Sequence, residues 1–205
     1  MGIYAKYVLP PLIDLAMSNK KIAGLRAGWI PQARGDVLEV GIGSGRNLPY
    51  YSAEVRRVWG VDPSAELREM ARGRIAASRF PVEYLLQSAE RRLPLPDASI
   101  DTVVVTATLC SIPDVASALE QMRRVLKPGG RLMFLEHGRA VDPRVVAWQD
   151  RLTPLWKRFT GGCHLNRPMD ALISAAGFRI TELSAGYVPG PRPMTYMYQG
   201  FAEPV

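Results

Sequence analysis

The chain has 205 residues, 47% of them hydrophobic and 22% charged, with a formal net charge of +7 and a pI near 9.7. That length and hydrophobic share suit one domain, 1–205, with a full core. Two cysteines, Cys110 and Cys163, exclude a disulfide framework, and no apolar stretch approaches the roughly 20 residues that span a bilayer.

The first residues lack a basic stretch followed by an apolar run, so a cytoplasmic, reducing location is expected. The positive charge fits either an anionic partner or scattered surface arginines. The arginines alternate with acids and alanines and form no run resembling a nucleic-acid arm, so no nucleic-acid partner is expected. Cys110, Cys163, His137 and His164 complete no recognisable metal-ligand spacing, so no metal is expected. The oligomeric state is not legible.

In chain order, residues 1–34 read as a helical cap ahead of a core at 35–205. Leu12, Leu15, Ile22, Leu25 and Trp29 fall at helical intervals, with Lys20, Lys21 and Arg26 expected on the surface, and Pro10-Pro11 suits the start of that helix. A first strand, Asp36 to Val40, runs into Gly41, Gly43 and Gly45, and a short helix is expected near Arg46. Val55 to Val61 is a second strand ending at Asp62 and Pro63. Ser64 can cap a helix over Ala65 to Ser78. Val82 to Leu86 and Ile100 to Thr106 are the third and fourth strands. In the fourth, the run Val103-Val104-Val105 reads as buried on both faces. A helix near Asp114 to Leu126 stops at Lys127-Pro128-Gly129-Gly130, and Arg131 to Glu136 is a fifth strand. Helices over Pro143 to Phe159 and Arg167 to Ala176 precede two last strands, Arg179 to Ser184 and Thr195 to Ala202. Alternating strands and helices predict an α/β fold with a mostly parallel sheet and helices on both faces.

Ligands of such sheets bind beyond the carboxyl ends of the strands. Four loops meet there: the glycine run, Asp62-Pro63, Ser88-Ala89-Glu90 and Thr106-Ala107-Thr108. Glycines permit a tight turn and close approach to a ligand, and an acid after the second strand can accept from both ribose hydroxyls. A dinucleotide site wants Gly-x-Gly-x-x-Gly with a small sixth residue, and here Arg46 stands sixth. Glu39, two residues before the first glycine, suits a cationic cofactor better than a pyrophosphate.

The stretch Glu39-Val40-Gly41-Ile42-Gly43-Ser44-Gly45 resembles the class I S-adenosylmethionine (SAM) methyltransferases. The resemblance implies a Rossmann-like seven-stranded sheet in the order 3-2-1-4-5-7-6, with the last strand antiparallel. It also implies SAM as the cofactor and S-adenosylhomocysteine as its product. Asp62 and Pro63 are then expected at the ribose, and Glu39, Gly41, Gly43, Gly45 and Asn47 around the methionine portion. A carbonyl near Thr106 is expected to receive the ammonium, with Ser88, Ala89 and Glu90 near the adenine. Leu109-Cys110-Ser111, Glu136-His137, Trp148-Gln149, Pro154-Leu155-Trp156-Lys157 and Gly161-Gly162-Cys163-His164-Leu165-Asn166-Arg167 are more specific. Together they look like the thiol S-methyltransferases, membrane-associated enzymes of vertebrates, without the long apolar N-terminal anchor of that family. A second resemblance is to bacterial phosphatidylethanolamine N-methyltransferases, through the glycine run and Asn47-Leu48-Pro49. The expected acceptor is a small, fairly apolar molecule, first a thiol and second an aminophospholipid. A non-catalytic SAM- or nucleotide-sensing module and a nicotinamide oxidoreductase are the rivals.

A thiol must ionise before it attacks, from a free pKa of about 8.5. His137 and His164 read either as bases for that proton or as satisfied structural histidines. Arg167 reads as an anion ligand or a helix start, and Tyr4 and Tyr7 as covers of the cofactor or core. Val145, Trp148, Leu152, Leu155, Trp156 and Phe159 form an apolar stripe at helical spacing, with Pro154 as a kink and Arg144, Arg151, Lys157 and Arg158 on the other faces. The stripe reads as a helix packed on the sheet, as a lid, or as a contact with anionic membrane.

Overall fold

A computed structural model describes residues 3–205. The seven strands are β1 (Gly35–Val40), β2 (Val55–Val61), β3 (Val82–Leu85), β4 (Ile100–Thr106), β5 (Leu126–His137), β6 (Phe178–Tyr187) and β7 (Tyr196–Pro204). They form one sheet in the order β3-β2-β1-β4-β5-β7-β6. Pairing is parallel from β3 to β5, and β7 lies antiparallel to both β5 and β6. This is the Rossmann-like class I methyltransferase order expected from the sequence.

The valine run of β4 shows how the sheet is covered on two faces. Val103 and Val105 enter one apolar cluster, with Leu38, Phe134, Leu119 and Ile173. Val104, between them, enters the other, with Val37, Val58, Met133 and Trp29. Successive strand residues point to opposite faces, so a continuous apolar run needs helices on both. Those helices are α1 (Leu9–Met17), α2 (Lys20–Trp29), α3 (Ala65–Ala76), α4 (Val115–Val125), α5 (Pro143–Phe159) and α6 (Met169–Ala175). Ser64 accepts from the Leu67 amide and Asp114 from the Ser117 amide, which closes the first turns of α3 and α4.

The N-terminal cap departs from a single helix. Asn19 accepts from the Lys21 amide, so a new helix starts there and splits the segment into α1 and α2. A π-helical turn, Tyr4–Val8, precedes α1, with Pro10 in its first turn. Leu12 and Leu15 face outward, at 49% and 67% exposure, while Trp29 is buried against Phe201. Met1 and Gly2, the start of the expected cap, lie outside the described residues. The short helix expected near Arg46 is instead a run of turns followed by a single 3-10 turn, Leu48–Tyr50.

α5 runs unbroken through Pro154. Its buried side is Val145, Gln149 and Thr153, while Trp148, Leu155 and Phe159 of the expected apolar stripe are exposed. Gln149 explains the orientation. It is fully buried, donates to the carbonyls of Gly138 and Pro193, and accepts from the Ala140 amide. A buried amide with its partners made is a specific anchor; with it facing inward, the stripe divides, Val145 and Trp156 packing on the core and Trp148, Leu155 and Phe159 facing out.

Candidate active site

A cavity of about 280 Å³ opens at the carboxyl edge of β1, β2 and β4. Gly41 starts its floor at a φ of +74°, where a Cβ would run into the side chain of Thr108. Only glycine suits that turn and that approach together. Glu39, one residue before the end of β1, is buried beneath it. Its carboxylate accepts from Asn47 Nδ2 and from the Tyr51 hydroxyl, both at 2.9 Å. Asn47 also donates to Thr106 Oγ1 at 3.2 Å and accepts from Arg26 Nε at 2.8 Å. Arg26, from α2, is 4% exposed and donates to the Met17 carbonyl. Burial pushes the Glu39 carboxyl up to about 7, against the pull of Tyr51, Asn47 and Arg26.

Asp62, after β2, forms the opposite wall. Its two oxygens accept from the amides of Ser64 at 2.9 Å and Gly43 at 3.2 Å. Burial raises its carboxyl above the usual range, and those two amides oppose the shift.

α1 closes one side. Asp14 accepts from Ser44 Oγ and from both Arg46 Nε and Nη2. The fork of Arg46 against that carboxylate is a bidentate pair, and it holds Asp14 below its ordinary value. Ile13 and Met17 line the same side. Ser111, Ile112, Pro113, Thr160 and Gly161 form a further wall with no charged side chain.

Glu39, Gly41, Gly43, Asn47, Asp62, Pro63, Ser88, Ala89 and Thr106 therefore all line the cavity. Gly45 and Glu90 do not. A Cβ at Gly45 would meet Leu48, Ala71 and Arg74, which places it behind the turn. Glu90 accepts from the Asp114 amide and from Ser88 Oγ, each at 2.6 Å, and so ties two loops together.

The fold brings neither histidine to the cavity. His137 lies at the end of β5 as expected, but its Nε2 faces Cys163 Sγ at 3.0 Å. Burial opposes its charging, while Cys163 and the Glu136 carboxylate outweigh that and raise its pKa. His164 points Nδ1 at the Cys110 carbonyl, 3.2 Å away. Arg167 precedes α6 rather than starting it, does not line the cavity, and donates through Nη1 to the carbonyls of Leu109 and Ile112. Tyr4 bonds the Phe159 carbonyl and Tyr7 is exposed, so neither lines the cavity.

Asp14 and Tyr51 escaped the sequence reading, and Arg26, expected on the surface, is buried because Asn47 and the Met17 carbonyl take its guanidinium inward. Asp14 carries one signal, since it is the lone acid in the first 34 residues. Arg26 and Tyr51 carry none, because their roles exist only through contacts with Asn47 and Glu39.

The donor set fits SAM. Asp62 would hold the ribose hydroxyls, and Glu39 with the glycine turn would surround the methionine portion. The apolar side chains of Ile13, Ile42 and Leu67 supply dry walls. When bound, SAM supplies an activated methyl group, so the protein has mainly to align the acceptor and exclude water.

A methyltransferase domain model matches residues 38–134. Thiol S-methyltransferase TMT1B of Rattus norvegicus is 36% identical over 76% of this chain, which spans 64% of that protein's length. Human thiol S-methyltransferase TMT1A is 30% identical over 82% of this chain and 71% of its own. A phosphatidylethanolamine N-methyltransferase of Cereibacter sphaeroides is 38% identical over 50% of this chain and 51% of its own. Among solved structures, a SAM-dependent methyltransferase of Methanosarcina mazei matches with a TM-score of 0.67 at 20% identity, over 85% of this chain and 94% of its own.

Proposed function

The chain belongs to the SAM-dependent methyltransferases, and we propose that its acceptor is the sulfur of a small, fairly apolar thiol. The uncharged wall of Ser111, Ile112, Pro113, Thr160 and Gly161 carries this reading. Two of its residues, Ser111 and Gly161, belong to stretches that look like the thiol S-methyltransferases, and proteins of that name are similar over most of the chain.

The carboxylates that line the cavity argue in the same direction. A protonated amine must lose its proton before it attacks, and each carboxylate here is already engaged. Asp14 is held by Arg46, Glu39 by Asn47 and Tyr51, and Asp62 by two amides. A thiol reaches its nucleophilic form by its own ionisation near a pKa of about 8.5. The test supplies methyl-labelled SAM to a small alkyl thiol beside phosphatidylethanolamine vesicles. Label in a methyl thioether supports the thiol. Label in the lipid alone overturns it in favour of N-methylation.

A peripheral contact with anionic membrane is a second reading, carried by one surface. Trp148, Leu155 and Phe159 project from α5, and Tyr4 packs edge-on against Phe159, 6.5 Å between ring centres. Tyr7, Leu12 and Leu15 are exposed nearby in sequence. Arg144, Arg151, Lys157 and Arg158 on α5 are exposed too. Apolar side chains flanked by cations suit the headgroup boundary of a bilayer. No helix among the described residues is long and apolar enough to cross a membrane. The combined change Trp148→Ser and Phe159→Ser is expected to lower binding to phosphatidylserine-containing vesicles at least tenfold in co-sedimentation, with SAM affinity unchanged. Equal sedimentation of both proteins would rule the contact out.

A further inference from the structure

We propose that Cys110, His137 and Cys163 form a binding site for one thiophilic divalent metal ion, with zinc as the fitting choice. The chain has two cysteines and two histidines, and three of these four side chains converge. They come from separate places: the turn after β4, the end of β5 and the loop after α5. Their ligand atoms all lie within 4.8 Å of one another. The ligands are too far apart in sequence to form the close-spaced pairs by which zinc sites are recognised, which is why the spacing predicted none.

The geometry is near that of a zinc site. Zinc takes Cys sulfur at about 2.3 Å and His nitrogen at about 2.0 Å, which sets tetrahedral ligands roughly 3.5–3.8 Å apart. His137 Nε2 and Cys163 Sγ, at 3.0 Å, would open slightly, and the remaining separations would close by rotamer-scale shifts. Two thiolates balance a divalent charge. Three protein ligands leave a fourth position for water or another donor.

Cys110 and burial raise the Cys163 thiol above its ordinary value, so an ion would have to displace its proton, but the neighbouring contacts suit a metal-bound sulfur. The Trp156 indole donates to Cys163 Sγ at 3.3 Å, an N–H contact of the kind that supports ligand sulfur. The Arg167 guanidinium, fixed by the carbonyls of Leu109 and Ile112, lies close enough to both cysteines for its charge to favour their thiolates. The two cysteines are 2% and 9% exposed. The His164 amide donates to the Cys110 carbonyl at 2.8 Å, which clamps the Cys163 loop against the Cys110 turn. That contact holds the two cysteine-bearing segments together, while His137 Nδ1 is buried without a hydrogen-bond partner among the described residues. Ser111 and Gly161, neighbours of the two cysteines, line the cavity, so the ion would stand behind its uncharged wall.

The test loads the reduced full chain with zinc, removes free ion by gel filtration and measures metal per chain by mass spectrometry. One zinc per chain is expected, with affinity falling about 10- to 100-fold or more in Cys110→Ser and in Cys163→Ser, while His164→Gln retains it. Cobalt loading of the wild type gives a reading that does not depend on variants folding: sulfur-to-cobalt charge-transfer bands in the near ultraviolet are expected. A wild type that retains no zinc and shows no such bands would overturn the site. So would a folded Cys110→Ser, Cys163→Ser double variant that takes up zinc as the wild type does.

Discussion

Replacing Asp62 with alanine is expected to weaken SAM binding by about 10- to 100-fold, or about 1–3 kcal/mol, by loss of a charged hydrogen-bond partner. The carboxylate is 9% exposed and lines the cavity. Its two oxygens are already aimed by the Ser64 and Gly43 amides, so it meets a diol without rearranging. Losing those two bonds also costs stability, about 1–2 kcal/mol in all. Asp62→Asn separates the effects, since it can keep one amide contact but loses the charge. Isothermal titration should therefore place Asn between wild type and alanine. Unchanged affinity in Asp62→Ala would remove Asp62 from the site.

The second large effect concerns Glu39 and pH. Its carboxyl titrates at about 7 in the fold, because burial opposes its charge. A folded value above the ordinary one means that ionisation costs the ligand-free protein stability as pH rises from about 4.5 towards 7. A bound cation reverses that preference, since it favours the carboxylate. SAM affinity is therefore expected to improve from pH 5.5 to 7.5, by about tenfold per unit while Glu39 remains mostly protonated. Glu39→Gln should flatten that profile and leave affinity at pH 7.5 about 10- to 100-fold lower. The amide is close in shape, and its oxygen can still accept from Asn47, so the fold should persist. A Glu39→Gln protein that keeps the wild-type pH profile would assign the titration to another group.

The parts that sequence reveals and the parts it hides differ in kind. Asp62, Glu39 and the glycine turn were legible because a short stretch of chain both makes the backbone shape and carries the chemistry. The sheet order followed from alternation and resemblance, and β4 announced its double-sided burial in three valines. Asp14 was hidden because its partner, Arg46, stands 32 residues away and joins it only when α1 folds across the glycine turn. His137 was placed on the correct edge, yet a strand end does not say which neighbour a ring faces. Here that neighbour is Cys163, from a loop 26 residues on. The stripe on α5 shows a third kind of difficulty. Apolar spacing identifies a stripe but not how it divides, and around the buried Gln149 only Val145 and Trp156 of it pack on the core.

A single-turnover reaction tests the central claim most directly. The protein is mixed with one equivalent of methyl-labelled SAM, and a small alkyl thiol is then added. The label should pass to a methyl thioether with an equal amount of S-adenosylhomocysteine formed. Asp62→Ala should show little transfer at that SAM concentration and recover when SAM is raised well above its weakened affinity. A wild-type protein that binds SAM at this cavity but passes no label to the thiol would contradict the proposed acceptor. Undiminished transfer by Asp62→Ala at one equivalent would contradict the assignment of the cavity itself.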